Sequence, residues 1–140
     1  MSCAEVEARS HEETVRRVVD AFNRRDRAGL LALCDPDMVN VPPREWPESS
    51  PIRGREAVWD FYVEGNEPWE DSALSVVDFI DGDGDNALAH LQGEMRGRAS
   101  GAGVVWSFWA VIVFRNGKPA LVEWFANSDE AVGRFREAAS

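Results

Sequence analysis

Val104-Val105-Trp106-Ser107-Phe108-Trp109-Ala110-Val111-Ile112-Val113-Phe114-Arg115 is the stretch on which the fold turns. Aromatic and β-branched residues fill it, and no glycine or proline interrupts it, so it reads as a long strand. At the two-residue period of a strand, Trp106, Phe108, Ala110, Ile112 and Phe114 fall on one face. Val105, Trp109, Val111 and Val113 fall on the other. A strand apolar on both faces belongs to a sheet that must be covered on both sides. Three more strands are expected around it, at Ala73–Ile80, Ala87–Arg96 and Ala120–Ala126. The links between them run from Asp81 to Asn86, from Gly97 to Gly103, and through Asn116-Gly117-Lys118. All three are short and rich in turn formers, which predicts an antiparallel meander.

Upstream of residue 72 the period is that of a helix. Val15, Val18, Val19 and Phe22 recur at i, i+3, i+4 and i+7, while Glu12, Glu13, Arg16, Arg17, Asp20 and Arg24 occupy the opposite face. Residues 1–11 lack that pattern and are expected to be a flexible tail. Asp26 caps a short second helix, Arg27 to Cys34, which Asp35-Pro36-Asp37 ends because proline disfavours helix in the residue before it. Met38 to Val41 makes a short strand, and a proline-rich loop follows to Arg53. Gly54 opens a third helix bearing Ala57, Val58, Phe61 and Tyr62, with Gly65 and Pro68 bracketing its end. Ser128 or Asp129 caps a last helix through Phe135. Helices first and a meander afterwards give an α+β fold, and 140 residues fit a single domain. The helices cover one face of the sheet. A second copy of the chain is the simplest cover for the other, so a homodimer is expected; helices on both faces of one chain are the alternative.

The formal charge of −10 excludes a basic nucleic-acid footprint or an anionic membrane surface. No run approaches the roughly 20 apolar residues of a membrane span, and Met1 to Ser10 lacks the apolar region of a signal peptide. Cys3 and Cys34 read as free thiols, which fits a cytoplasmic protein. With two histidines in all, and no second histidine spaced from His11-Glu12-Glu13, no metal site is expected. Asp81-Gly-Asp-Gly-Asp has the look of a calcium loop, but Asn86 stands where a glycine is needed and Gln92 where a bidentate Glu is needed. It reads as a hairpin turn.

Five strings in this order resemble the SnoaL-like branch of the nuclear transport factor 2-like superfamily. They are Val18-Val19-Asp20-Ala21-Phe22-Asn23-Arg24-Arg25-Asp26, Leu33-Cys34-Asp35-Pro36-Asp37, Arg53-Gly54-Arg55-Glu56-Ala57-Val58, Phe114-Arg115-Asn116-Gly117-Lys118, and Glu123-Trp124-Phe125. The resemblance spans about residues 12 to 138. It implies a cone-shaped, cystatin-like α+β domain, in which N-terminal helices pack on a curved, mostly antiparallel sheet around an apolar pocket. It implies either a cofactor-free cyclase, isomerase, dehydratase or hydrolase acting on a hydrophobic metabolite, or a non-catalytic binding or dimerisation module. Ketosteroid isomerase-like members place their catalytic groups where this chain has Val18, Val41 or Pro42, and Ala110, all apolar. That mechanism is therefore not expected, because it needs a base and oxyanion donors at those places.

Two acid–base candidates remain. Glu123 has the parity of the family's cavity-lining face, where desolvation would raise its pKa; otherwise it pairs with an arginine at the rim. His90 shares a face with Gln92 and Glu94, and the period alone does not fix whether that face is the cavity or the outside. The expected pocket wall is Val18, Val58, Trp59, Tyr62, Trp106, Phe108, Ala110 and Phe125, for a small hydrophobic molecule. Arg44-Glu45-Trp46 is either a gate over the cavity or a plain surface loop.

Overall fold

The computed structural model describes residues 3–46, 49–63, 69–97 and 103–139. The long strand of the opening stretch becomes β5 (Gly103–Arg115). It lies between β4 (Asn86–Gly97) and β6 (Lys118–Phe125), antiparallel to both. Beyond β4 runs β3 (Trp69–Asp83), and beyond β6 run β1 (Val39–Val41) and β2 (Ile52–Arg53). The order across the six-stranded sheet is β2-β1-β6-β5-β4-β3. The expected meander is present as β3 to β6. Neither β2 nor the parallel pairing of β1 with β6, which sets Asn40 opposite Val122, was expected from the sequence.

The turns follow their residue chemistry. Asn116 (φ 55°) and Gly117 (φ 76°) form the two-residue link between Arg115 and Lys118, where both central residues need positive φ. The aspartate-rich segment is a hairpin too, with Asp83 paired to Asn86 around Gly84 (φ 61°). The 98–102 connection and the expected end of the third helix at 65–68 lie outside the described residues.

Three helices lie on the inner face: α1 (Cys3–Asn23), α2 (Arg27–Leu33) and α3 (Arg55–Tyr62). α1 buries Val15 and Val19 and keeps Arg16–Glu12 and Arg24–Asp20 ion pairs, each at 3.0 Å, on its solvent side. It begins at Cys3, which corrects the expected tail over residues 1–11 for the described part. His11 anchors this segment. Its ring is buried and stacks 3.9 Å from Phe114, and its Nε2 is 2.8 Å from the carbonyl of Gly84. A lone polar residue ahead of the apolar stripe gave no periodic signal of that contact. At the other end of α1, the Asn23 side chain donates to the Leu74 carbonyl and accepts from its N–H, both at 2.8 Å. Asp26 caps α2 by accepting from the Gly29 N–H at 3.0 Å. A Cβ on Gly29 would fall 2.3 Å from the Asp26 carboxylate, so a side chain there would push the cap out of its position.

α4 (Ser128–Ala139) packs on the opposite, outer face. Ala131 and Phe135 bury against Leu88 and Val111, with Trp109, Phe125 and Val132 alongside. Its first turn is capped by Asn127, whose Oδ1 accepts from the N–H groups of Asp129 (2.8 Å) and Glu130 (3.2 Å), in place of the expected Ser128 or Asp129. Helices therefore lie on both faces of one chain, so a second copy is not the sole cover for the outer face.

The two strings Leu33–Asp37 and Phe114–Lys118 meet in space. Asp35 accepts two hydrogen bonds from Arg115, at 2.7 and 3.0 Å, and one from the Asp37 N–H at 2.9 Å. Its own N–H donates to the Pro119 carbonyl at 3.0 Å. These bonds stabilise the carboxylate, Arg115 foremost, and hold its pKa down from 3.8 to about 2. A depressed folded-state pKa gives stability above the unfolded value that is lost as pH falls toward the folded one. The melting temperature of wild type should exceed that of Asp35→Asn most clearly above pH 4, and the gap should narrow toward pH 2. A gap independent of pH between 2 and 6 would refute this account.

Candidate functional site

The inner helices do not fill the space above the sheet. The cavity left has a volume of about 140 Å³, close to that of a dry apolar cavity that accepts a single benzene ring, roughly 150 Å³. Its floor owes its depth to small residues: Ala110 in β5 lines it, and Ala89 in β4 is cross-strand from Ala110. Val15, Val18 and Phe22 of α1 form one wall, and Val58, Trp59 and Tyr62 of α3 another. Phe108, Ile112, Val122 and Trp124 extend the floor toward β6.

Trp46 lines the cavity from the loop after β1. Its ring meets Phe108 edge-on at 5.8 Å and is tilted over Tyr62 at 6.4 Å. The preceding Arg44 is bonded to Glu130 of α4 at 2.6 Å, so the loop is tied across the edge of the sheet. Of the two readings of Arg44-Glu45-Trp46, this places Trp46 at the cavity and Arg44 at the surface.

One polar relay interrupts the apolar lining. Asn40 points inward because it is in register with Val122 in the parallel β1–β6 pair, and it is 3% exposed. Its Oδ1 accepts from the Trp124 indole N–H at 3.1 Å, and its Nδ2 donates to the Tyr62 hydroxyl oxygen at 2.5 Å. Burial pushes the Tyr62 phenol well above its ordinary pKa, and the bond from Asn40 offsets only part of that. The phenol therefore stays protonated at neutral pH. Cys34, also in the lining, is pushed up to about 11 by burial, with Arg55 and Lys118 pulling the other way. It is an unreactive thiol. Asn40 was not among the candidates read from the sequence, because one polar residue in a three-residue strand has no period to reveal its face.

The two acid–base candidates lie elsewhere. Val111 is on the outer face, and Glu123 is its cross-strand partner, so Glu123 is on the outer face too. There it accepts from Arg134 of α4 at 2.9 Å. The parity assigned to it from sequence is thus corrected: Val122 and Trp124 are the inward residues of β6. Both alternations of β6 are largely apolar, and only its pairing with β5 tells them apart. His90 is paired with Trp109 and stacks on it at 4.4 Å, again outside the cavity. Its Nε2 is buried and has no hydrogen-bond partner among the described residues. Of the expected wall, Val18, Val58, Trp59, Tyr62, Phe108 and Ala110 come together. Phe125 packs against α4 on the outer face. Trp106 is 43% exposed and stacks 6.3 Å from Phe108, outside the lining. Among the described residues no group of three His, Cys, Asp or Glu side chains could hold a metal ion. No described helix is long and apolar enough to cross a membrane.

Helices on a curved open sheet around an apolar cavity define a nuclear transport factor 2-like architecture. The sequence pattern of the SnoaL-like domain matches residues 15–136, and the chain belongs to that family. Among solved structures it is similar to an NTF2-like protein of unknown function from Burkholderia pseudomallei, at 22% identity and a TM-score of 0.72, covering 90% of this chain and 97% of that one. TerC, co-crystallised with polyporic acid, has 20% identity and a TM-score of 0.72, covering 91% and 98%. A protein with a ketosteroid isomerase-like fold from Catenulispora acidiphila, in complex with trimethylamine, has 11% identity and a TM-score of 0.70, covering 89% and 92%. No curated protein matches.

The outer-face placement of Glu123 predicts its mutational signature. Glu123→Gln should weaken the docking of α4 and lower stability by about 0.5–1 kcal/mol, read by urea denaturation. Small-molecule binding should be unchanged; a variant that folds normally but loses binding would contradict the placement.

Proposed function

We propose that this protein is a small-molecule binding protein that captures a largely apolar, ring-sized ligand between α1, α3 and the sheet. The observation behind this reading is the lining itself, which among the described residues contains no carboxylate, imidazole or ammonium group. Proton-transfer catalysis needs a base within hydrogen-bond reach of the substrate. The two titratable groups of the lining, Tyr62 and Cys34, are both held protonated. The aromatic and aliphatic surface of the cavity suits capture by burial of apolar area. Structures of the same fold, one co-crystallised with polyporic acid and one in complex with trimethylamine, support small-molecule binding. A buried free thiol at Cys34 supports a reducing, cytoplasmic setting.

Filling the cavity tests the reading. Ala110→Leu adds bulk to the floor with little strain, since it grows into open space. Mass spectrometry of protein purified from its native host should find a co-purifying small molecule on wild type and none on Ala110→Leu, with the melting temperature of the variant maintained. The same ligand on both proteins would sink the reading.

A second copy of the chain is proposed to cover the part of the outer face that α4 leaves open. There Val105, which shares the β5 parity of Trp109 and Val111, is 60% exposed. Light scattering should find a dimer for wild type and a monomer for Val105→Glu. A monomeric wild type at tens of micromolar would exclude this assembly.

A further inference from the structure

The polar relay in the cavity has a direction. The Trp124 indole can only donate, and it donates to Asn40 Oδ1. That bond fixes which end of the Asn40 side-chain amide is oxygen and which is nitrogen. Nδ2, a donor, is therefore the end directed toward Tyr62, whose hydroxyl oxygen accepts from it. An amide nitrogen has two protons, and Tyr62 takes one of them. The other nitrogen-bearing side chains of the lining, Trp46 and Trp59, are indoles and can only donate as well. Asn40 Nδ2 and the indoles are donors, while Asn40 Oδ1 and the Tyr62 oxygen each already accept one hydrogen bond.

Charge narrows the ligand further. The described lining has no cation to receive a carboxylate or phosphate, and an unpaired charge buried among apolar groups is costly. It has no carboxylate to receive an ammonium group either. The net charge of −10 disfavours an anionic ligand at a distance as well.

We infer that the ligand is a neutral, ring-sized molecule whose polar group is a hydrogen-bond acceptor, a carbonyl or ether oxygen, bound by the second Nδ2 proton of Asn40. Trp124 is the positioning residue: without its N–H the Asn40 amide is free to turn its oxygen toward the ligand. The Tyr62 hydroxyl can donate or accept and so meets either end of the amide, which leaves the choice to Trp124. This inference rests on the binding reading above and adds the chemistry of what is bound.

The test uses the full chain and three probes of similar size: acetophenone, ethylbenzene and benzyltrimethylammonium. Affinities are read from tryptophan fluorescence and confirmed by calorimetry. Acetophenone should bind wild type about five- to tenfold more tightly than ethylbenzene, the effect of one buried hydrogen bond. In both Asn40→Leu and Trp124→Phe the ratio should fall to one or below, because the ketone oxygen is then buried without a donor. Retained ethylbenzene binding then reports an intact cavity in each variant. Equal affinity of wild type for acetophenone and ethylbenzene would overturn the inference while leaving the pocket reading standing. Tightest binding by benzyltrimethylammonium would overturn it in favour of an aromatic cation site. An unchanged ratio in both variants would overturn the roles of Asn40 and Trp124. If none of the three probes binds wild type, the pocket reading fails, and this inference fails with it.

Discussion

A strand that is apolar on both faces must be buried on both, and β5 imposes that requirement on everything around it. On the inner face, Ala110, Ile112 and Phe114 are covered by the three N-terminal helices. On the outer face, Val111 is covered by α4, the last element of the chain. The order of the sequence follows from this demand. Helices made before the sheet close one side of it, and a helix made after it returns to close part of the other. The Glu123–Arg134 and Arg44–Glu130 pairs join α4 to the sheet and to the loop after β1. They set its position on a surface whose apolar contacts are non-directional.

The two faces differ in what covers them. Outside, Ala131 and Phe135 pack directly on the sheet. Inside, a helix layer spans a floor whose central residues are alanines, and a void remains between them. Such a void forgoes dispersion contacts that a filled core would have. The surrounding ring is correspondingly well tied. Asp35 joins the exit of α2 to the β5–β6 hairpin through Arg115 and Pro119, and Arg55 donates to the Leu31 carbonyl at the end of α2. These polar ties brace the perimeter of the cavity.

The sequence revealed most where a residue pattern has a single physical solution. Alternation in β5 and the Asn116-Gly117 turn could be satisfied in one way, and the strand order β3 to β6 followed. Pattern failed where two solutions look alike. β6 reads apolar on both alternations, so only its register with β5 separates Val122 and Trp124, inside, from Glu123 and Phe125, outside. His90 was ambiguous for a similar reason, since Leu88 and Leu91 are apolar on opposite faces of β4. The parallel pairing of β1 with β6 is a contact across some 80 residues, and no local signal foretells it. Asn40 owes its inward aim to that pairing, so the polar centre of the cavity was the least visible part of the site. The helical character of residues 3–11 was hidden as well, because His11 is held by one stacked ring and not by a stripe.

The contact between Asn23 and Leu74 also bears on how the chain avoids associating wrongly. β3 is the outermost strand on its side of the sheet, and an edge strand presents backbone groups on which another chain could build. The carboxamide of Asn23 has the same donor and acceptor pair as a peptide unit, and it occupies both groups of Leu74 as a neighbouring strand would. One side chain thus imitates one residue of an extra strand. The seal is in place only when the last turn of α1 is docked, so a chain with its sheet formed and this helix undocked is the species most open to aggregation during folding.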